Sequence, residues 1–181
     1  MTTPWTRRSF LTASLAAASA LLRAPRTRAE GTADTPPGRL ALYNIHTREA
    51  LTVVYRDGAG RYDSGALERL NYELRCHYTG EVAAIDLRVV EFLRAVDLGL
   101  GGDQEIHVIS GFRSADYNAW LIRRGSGVSA HSLHLVGRAI DVRFPSVPSS
   151  QVRRVALELA RGGVGHYPAS GFVHLDSGRV R

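Results

Sequence analysis

The chain contains no lysine and a single cysteine among its 181 residues. The absence of lysine excludes covalent catalysis through a lysine amine. One cysteine, Cys76, can form neither an internal disulfide nor a structural zinc site made of several thiolates, and we expect it to be a half-buried packing residue. Long apolar runs are also missing, because the apolar segment at residues 13–22 is too short for a comfortable membrane span.

The N-terminal segment has the composition of an export signal. Residues 6–12 read Thr-Arg-Arg-Ser-Phe-Leu-Thr, an alanine-rich apolar run follows, and Ala29 offers a cleavage point before Glu30. Paired arginines ahead of a short apolar region are typical of twin-arginine signals. We therefore predict a twin-arginine signal peptide over residues 1–29 and a protein of the periplasm. An ordinary secretory signal or an uncleaved anchor is the alternative.

The net charge of +6 is concentrated in this leader. Five arginines and no acidic residue lie within residues 1–29, which leaves a net charge of +1 for the rest of the chain. A nearly neutral domain gives little support to nucleic-acid binding. We predict no nucleic-acid partner, membrane association only through the export signal, and a monomer.

The rest of the chain is long enough for one domain with its own core. Residues 30–38 are rich in Gly, Thr and Pro and predict a linker, so we expect the domain to span residues 39–181. The periodicity of the apolar residues predicts, in order, strands at 40–46 and 51–55, helices at 65–75 (capped by Ser64) and 86–98, a strand at 106–109, a helix at 115–124, a strand at 138–144, a helix at 151–161, and strands at 164–167 and 172–175. This order predicts a small α+β domain with a central antiparallel sheet flanked by helices.

Two segments near the C-terminus carry the candidate chemistry. His134 and Asp141 are separated by six residues, and His174 follows within Phe-Val-His-Leu-Asp. Two imidazoles and one carboxylate form a three-ligand set for zinc that leaves a fourth position open, which is the pattern of catalytic rather than structural sites. A metal held in this way predicts metal-assisted hydrolysis. The alternative is a buried hydrogen-bonded set without metal.

Three motifs together resemble a known family. They are Ser-Gly-Phe-Arg-Ser at 110–114, Ser-x-His-x-x-Gly-x-Ala-x-Asp at 132–141, and Gly-Gly-Val-Gly-x-Tyr-Pro with Phe-Val-His-x-Asp within 162–176. In this order they are similar to the exported YcbK/MepK-type murein endopeptidases, a branch of the zinc D-alanyl-D-alanine peptidase and hedgehog-like group. The resemblance covers residues 39–181. It implies a periplasmic zinc enzyme that cuts peptide cross-links in peptidoglycan, between two diaminopimelate residues.

The resemblance also implies roles for single residues around the metal. His134, Asp141 and His174 match the zinc ligands of the family. Gly137, inside the same motif, is expected to permit close approach of backbone at the site. Zinc is therefore the expected cofactor, and two histidines with one carboxylate suit it better than manganese or cobalt.

Contacts with the stem peptides of peptidoglycan are expected from four residues. Arg113 matches an arginine that faces the carboxylate or carbonyl oxygen of the substrate, a task suited to a guanidinium fork. Ser132 matches a residue beside the metal that hydrogen-bonds peptide backbone. Asn118 follows Arg113 on a predicted helix and is a candidate for lining the cleft. Tyr167 is a candidate for stacking on the substrate, with a position in the core as its alternative.

The general base is not evident from the sequence. Relatives place a glutamate three residues before the last histidine ligand or a histidine two residues before it, and this chain has Gly171 and Phe172 there. Asp176 shares a strand face with His174, so it is either the base or a carboxylate that orients the ligand. The other candidates are His131 and His166.

Three functions stay open at this point. A zinc-dependent peptidoglycan hydrolase is the favoured hypothesis. A cell-wall-binding module that keeps the metal but lacks turnover is favoured by the missing base. The third is an exported scaffold in which the histidines are only structural. Metal content separates the scaffold from the other two, and turnover on cross-linked muropeptides separates the hydrolase from the binding module.

Overall fold

The computed structural model describes residues 35–181. The predicted signal peptide, residues 1–29, and the first part of the predicted linker lie outside the described residues. The strands are β1 (Gly38–Asn44), β2 (Ala50–Arg56), β3 (Glu105–Ser110), β4 (Ala139–Arg143), β5 (Gly163–Tyr167) and β6 (Phe172–Asp176). The helices are α1 (Ser64–Glu73), α2 (Leu87–Gly99), α3 (Ala115–Arg123), α4 (Ser149–Leu159) and a short 3-10 helix (Leu133–Val136). Within residues 35–181, no helix has the length and apolar character needed to cross a membrane.

The six strands form one sheet in the order β2-β1-β3-β4-β6-β5. The α+β architecture is confirmed, and every neighbouring pair but one is antiparallel. The exception is β1 with β3, which are parallel, so the expectation of a wholly antiparallel sheet is wrong there. The chain between these strands includes β2, α1 and α2, which gives it the length that a parallel crossover requires.

The two faces of the sheet differ in chemistry near its β5 end. On β4 and β6, Ile140 is opposite Leu175, and both side chains are buried in the core. The next pair along, Asp141 and His174, points to the other face because side chains alternate along a strand. Helices α1, α2 and α4 contribute buried apolar side chains to the core. The opposite face is left for the candidate site.

Helix boundaries depart from the predictions by one or two residues. The N-cap of α1 is Asp63 rather than Ser64, and its carboxylate accepts a hydrogen bond from the Ala66 backbone N–H at 2.9 Å. Aspartate and serine are equally good N-caps. Here the cap is the residue before Ser64, and Ser64 is the first residue of the helix. Helix α4 ends earlier than expected because Ala160 already adopts a left-handed conformation, with φ of 50°.

Cys76 lies deeper than expected. It is fully buried rather than half-buried, and its thiol is 3.5 Å from the Ser114 hydroxyl. Ser114 is also the N-cap of α3, since its hydroxyl accepts from the Tyr117 backbone N–H. The cysteine thus packs at the point where α3 begins, directly after Arg113.

Gly137 fixes the path of the chain into β4. It has φ of 64°, and a Cβ at this position would lie 2.3 Å from the Ala84 carbonyl oxygen. Its own carbonyl accepts from the Asp86 backbone N–H at 2.9 Å. Only glycine combines an easily adopted positive φ with the absence of a Cβ. The close backbone approach expected at Gly137 is therefore made to the segment before α2, which anchors the 3-10 helix that carries His134.

Candidate metal centre

Three separate elements bring His134, Asp141 and His174 together. The Nε2 atom of His134 is 3.2 Å from Nδ1 of His174 and 3.3 Å from Oδ2 of Asp141. Oδ1 of Asp141 is 2.8 Å from Nδ1 of His174. Zinc–ligand bonds of about 2.0–2.2 Å at tetrahedral angles would separate ligand atoms by about 3.3–3.6 Å. The two separations from Nε2 of His134 are close to this range, whereas the Asp141–His174 separation is that of a direct hydrogen bond. The donor set is one that suits a tetrahedral zinc ion.

In each histidine, the ring nitrogen that faces away from the cluster (the outer nitrogen) donates a hydrogen bond to an acceptor. Nδ1 of His134 donates to the Gly111 carbonyl oxygen at 2.8 Å, and Nε2 of His174 donates to Oδ2 of Asp176 at 3.2 Å. These bonds place a proton on the outer nitrogen of each ring, which leaves the inner nitrogen available to a metal. The Gly111 carbonyl follows β3 directly, so the end of that strand orients one ligand.

The carboxylate of Asp176 has no exposed surface, and both of its oxygens accept hydrogen bonds. Its Oδ1 accepts from the backbone N–H groups of Gly178 at 2.7 Å and Gly163 at 3.3 Å. Its Oδ2 accepts from Arg181 at 2.6 Å in addition to His174. A carboxylate with four donors and no open side is suited to orienting an imidazole and poorly placed to take a proton from water.

The electrostatics of the cluster favour a cation. Burial raises the pKa of Asp141, but the positive charge and hydrogen bonds of His134 and His174 outweigh it and hold that pKa below the usual range. Burial lowers the pKa of His174, yet the carboxylates of Asp141 and Asp176 raise it more. The carboxylates therefore stabilise positive charge at this point, which a bound metal would supply in place of protons.

Arg113 lies at the β3 side of the cluster and is almost fully buried. Its Nη1 donates to the Asn118 side-chain oxygen at 3.3 Å, and its Nη2 lies 3.5 Å from the Ser110 hydroxyl and 3.8 Å from Asp141. Among the described residues its Nε finds no hydrogen-bond partner. Asn118 also donates to the Ser129 carbonyl oxygen at 3.1 Å. The guanidinium is thus held in place beside the cluster.

A cleft of about 680 Å³ opens over the cluster. The side chains of Arg113 and the three cluster residues contribute to its lining. One wall is the loop at 126–132, and the other comes from β5, β6 and the turn between them. The cleft therefore gives an extended ligand access to the cluster from the surface.

Comparison with known proteins gives one consistent result. The sequence model of the family described as peptidoglycan L,D-endopeptidase MepK matches residues 32–181. A protein of that name from Escherichia coli (strain K12) is 37% identical over 156 residues, covering 86% of this chain and 85% of the relative. The relative from Haemophilus influenzae, named a probable peptidoglycan L,D-endopeptidase MepK, is 38% identical over 149 residues, covering 81% and 80%.

The chain belongs to the MepK family. This confirms the resemblance that its three motifs suggested, and it places the His/Asp/His cluster within a family of peptidases. The match covers all of the described residues and does not rest on the cluster alone.

The structure places the other predicted site residues of this MepK-family chain as follows. Ser132 and His131 line the cleft, and Ser132 also caps the 3-10 helix by accepting from the His134 backbone N–H at 3.4 Å. Tyr167 lines it too and is half exposed, so it is not a core residue. Asn118 is buried beside Arg113 and supports it. His166 is on the opposite face of β5 from the cleft, 3.1 Å from the Ser149 hydroxyl.

Sequence reasoning missed three contributors to this MepK-family site. The Gly111 carbonyl orients His134, Arg181 neutralises Asp176, and Gly165 lies opposite His174 on the neighbouring strand. A backbone carbonyl leaves no signal in a sequence. The repeated glycines of Gly-Gly-Val-Gly were a usable signal, since glycine inside a strand often marks a close approach.

Proposed function

We propose that this chain is a zinc-dependent peptidoglycan endopeptidase that acts in the periplasm after twin-arginine export. The observation that carries the proposal is the cluster of His134, Asp141 and His174 at the floor of a cleft in a MepK-family chain. The names of the relatives support a peptide cross-link of peptidoglycan as the substrate. The bond proposed is the one between two diaminopimelate residues.

The zinc would be held by Nε2 of His134, Nδ1 of His174 and a carboxylate oxygen of Asp141. When bound, zinc polarises a carbonyl group and lowers the pKa of water, which is the chemistry that amide hydrolysis requires. The protein contributes orientation: Gly111 and Asp176 hold the two rings so that their inner nitrogens face the same point.

Arg113 is proposed to bind the substrate oxygen that gains charge during the reaction, or a substrate carboxylate. Arg113 lines the cleft beside the cluster, and its buried position makes the charge effective because little water screens it. Asn118 acts through Arg113 by holding Nη1 and the loop carbonyl of Ser129 together. Ser132 is proposed to contact the substrate backbone at the cleft wall.

Proton transfer is assigned to His131 and not to Asp176. Of the candidate bases, His131 is the one that lines the cleft and is exposed. Asp176 is occupied by four donors, so its proposed role is to orient His174. A histidine side chain is the group most often used for proton transfer in enzymes.

A second candidate function follows from one observation. Gly171 and Phe172 occupy the positions where relatives of the wider group carry a glutamate or histidine base, and neither can accept a proton. A cell-wall-binding module that keeps the metal without turnover would need no base. The cleft residue His131 favours the enzyme over this alternative.

Digestion of isolated sacculi tests the proposal. Purified residues 30–181 are incubated with sacculi, with and without a chelator, and the muropeptides are separated and weighed by mass spectrometry. We expect cross-linked dimers to decrease only without chelator, with product masses that locate the cut between two diaminopimelate residues. An unchanged profile from zinc-loaded protein that still sediments with sacculi would favour the binding module.

A further inference from the structure

A glycine stands beside the cluster where a side chain would be expected. Across the end of the sheet, Asp141 on β4 is opposite His174, and His174 is opposite Gly165 on β5. Residues directly opposite each other in antiparallel strands point to the same face. The row that begins with two polar side chains therefore ends at a position with none.

Backbone conformation does not explain this glycine. The φ of Gly165 lies outside the left-handed region, so other residues could adopt its backbone. Space does explain it: an added Cβ would lie 3.0 Å from Cβ of His174 and 3.2 Å from the ring of Tyr167. Glycine inside a strand weakens the strand and commonly marks close approach of a ligand or another backbone. Here the absence of a side chain lets the ring of Tyr167 lie against the strand, next to His174.

An aromatic wall bounds the cleft on the side away from Arg113. Tyr167 is opposite Phe172 in the β5–β6 ladder, and their rings stack with centroids 4.5 Å apart and an angle of 14° between the planes. Both residues line the cleft, and Tyr167 is 50% exposed. Arg113 is on the other side of the cluster, after β3. The cluster thus lies between a buried cation and an aromatic surface.

We propose that Gly165, Tyr167 and Phe172 form a subsite for the unbranched aliphatic side chain of a stem-peptide residue next to the scissile bond. Methylene groups pack well on aromatic faces, and the missing side chain of Gly165 leaves room for the Tyr167 ring to lie against the cleft floor. A methyl group at position 165 would displace that ring. The proposal rests on the proposed function for the identity of the substrate. It adds the orientation: the carboxylate side of the substrate faces Arg113 and the aliphatic side faces Tyr167.

Binding of two short peptides tests the subsite without requiring turnover. The probes are L-alanyl-γ-D-glutamyl-meso-diaminopimelate and the same tripeptide with alanine in third place, titrated calorimetrically into zinc-loaded protein. For the diaminopimelate peptide we expect Gly165→Ala and Tyr167→Ala each to weaken binding about tenfold or more, the loss for one buried aliphatic side chain. Neither variant should change binding of the alanine peptide.

His166→Ala is the matched control, because His166 is on the same strand but points to the opposite face of the sheet. It should bind both peptides as the unaltered protein does. Equal weakening of both peptides, unchanged affinity in Gly165→Ala and Tyr167→Ala, or loss of zinc from Gly165→Ala would overturn the subsite. Failure of the unaltered protein to digest sacculi would overturn the proposed function instead, while selective loss of the diaminopimelate peptide would still support the subsite.

Discussion

His134→Ala is expected to release the zinc and abolish hydrolysis while the domain stays folded. Changing a residue that only orients a metal ligand lowers metal affinity by roughly 10–100-fold. This substitution removes a ligand itself, so zinc affinity should fall by more than that. The cost to folding is smaller, because the main loss is the bond to the Gly111 carbonyl, and one buried unpaired acceptor costs about 1–3 kcal/mol. Zinc content by mass spectrometry, turnover on muropeptide dimers and thermal unfolding measure the three effects.

His107→Ala is the control for this experiment. His107 is on β3 and contacts the Glu105 carboxylate at 2.9 Å, away from the residues that line the cleft. Its removal should leave zinc content and turnover unchanged. Full activity in His134→Ala would contradict the ligand assignment, and equal loss in both variants would point to a general effect of histidine removal on folding.

Asp176→Asn is expected to lower zinc affinity by about 10–100-fold, the range seen when a group that orients a metal ligand is changed. The amide can keep its oxygen towards the N–H groups of Gly163 and Gly178, but its NH₂ group then faces Nε2 of His174 and the Arg181 guanidinium. His174 would move its proton to Nδ1, the nitrogen that the metal needs. A zinc titration of the apoprotein measures the affinity.

Two further variants separate orientation from proton transfer. Asp97→Asn alters a carboxylate that is equally buried and is paired with Arg94, so it should destabilise the fold without changing zinc affinity. His131→Ala should keep zinc and lose kcat. If Asp176→Asn instead kept normal zinc affinity and lost only kcat, Asp176 would be the base and the assignment of His131 would be wrong.

The motifs of the sequence were sufficient to single out His134, Asp141 and His174, which the structure brings close together. Alternation along the strand puts Asp141 on the face away from Ile140, and the register with β6 shows the same division. The sequence was insufficient to predict the burial of Asp176, because alternation gives the face on which a side chain lies but not how far it is enclosed. The donors that enclose Asp176, from Gly178 and Arg181 among others, depend on how the chain turns after β6.

The pairing of strands that are distant in the sequence could not be predicted either. The parallel contact of β1 with β3 depends on how α1 and α2 pack, and no local pattern records it. The role of Gly165 depends on its being opposite His174, a relation between strands and not along one. The N-cap of α1 was displaced by one residue because Asp63 and Ser64 are both good caps, and only the backbone path selects Asp63.

A zinc titration of turnover tests whether hydrolysis depends on zinc bound at the cluster. Metal-free protein is mixed with increasing zinc, and cleavage of a purified muropeptide dimer joined through two diaminopimelate residues is followed by chromatography. We expect no cleavage without zinc, a rise with added metal, and a plateau at about one equivalent for a single site. Cleavage by the metal-free protein, or full zinc binding without cleavage, would contradict this expectation.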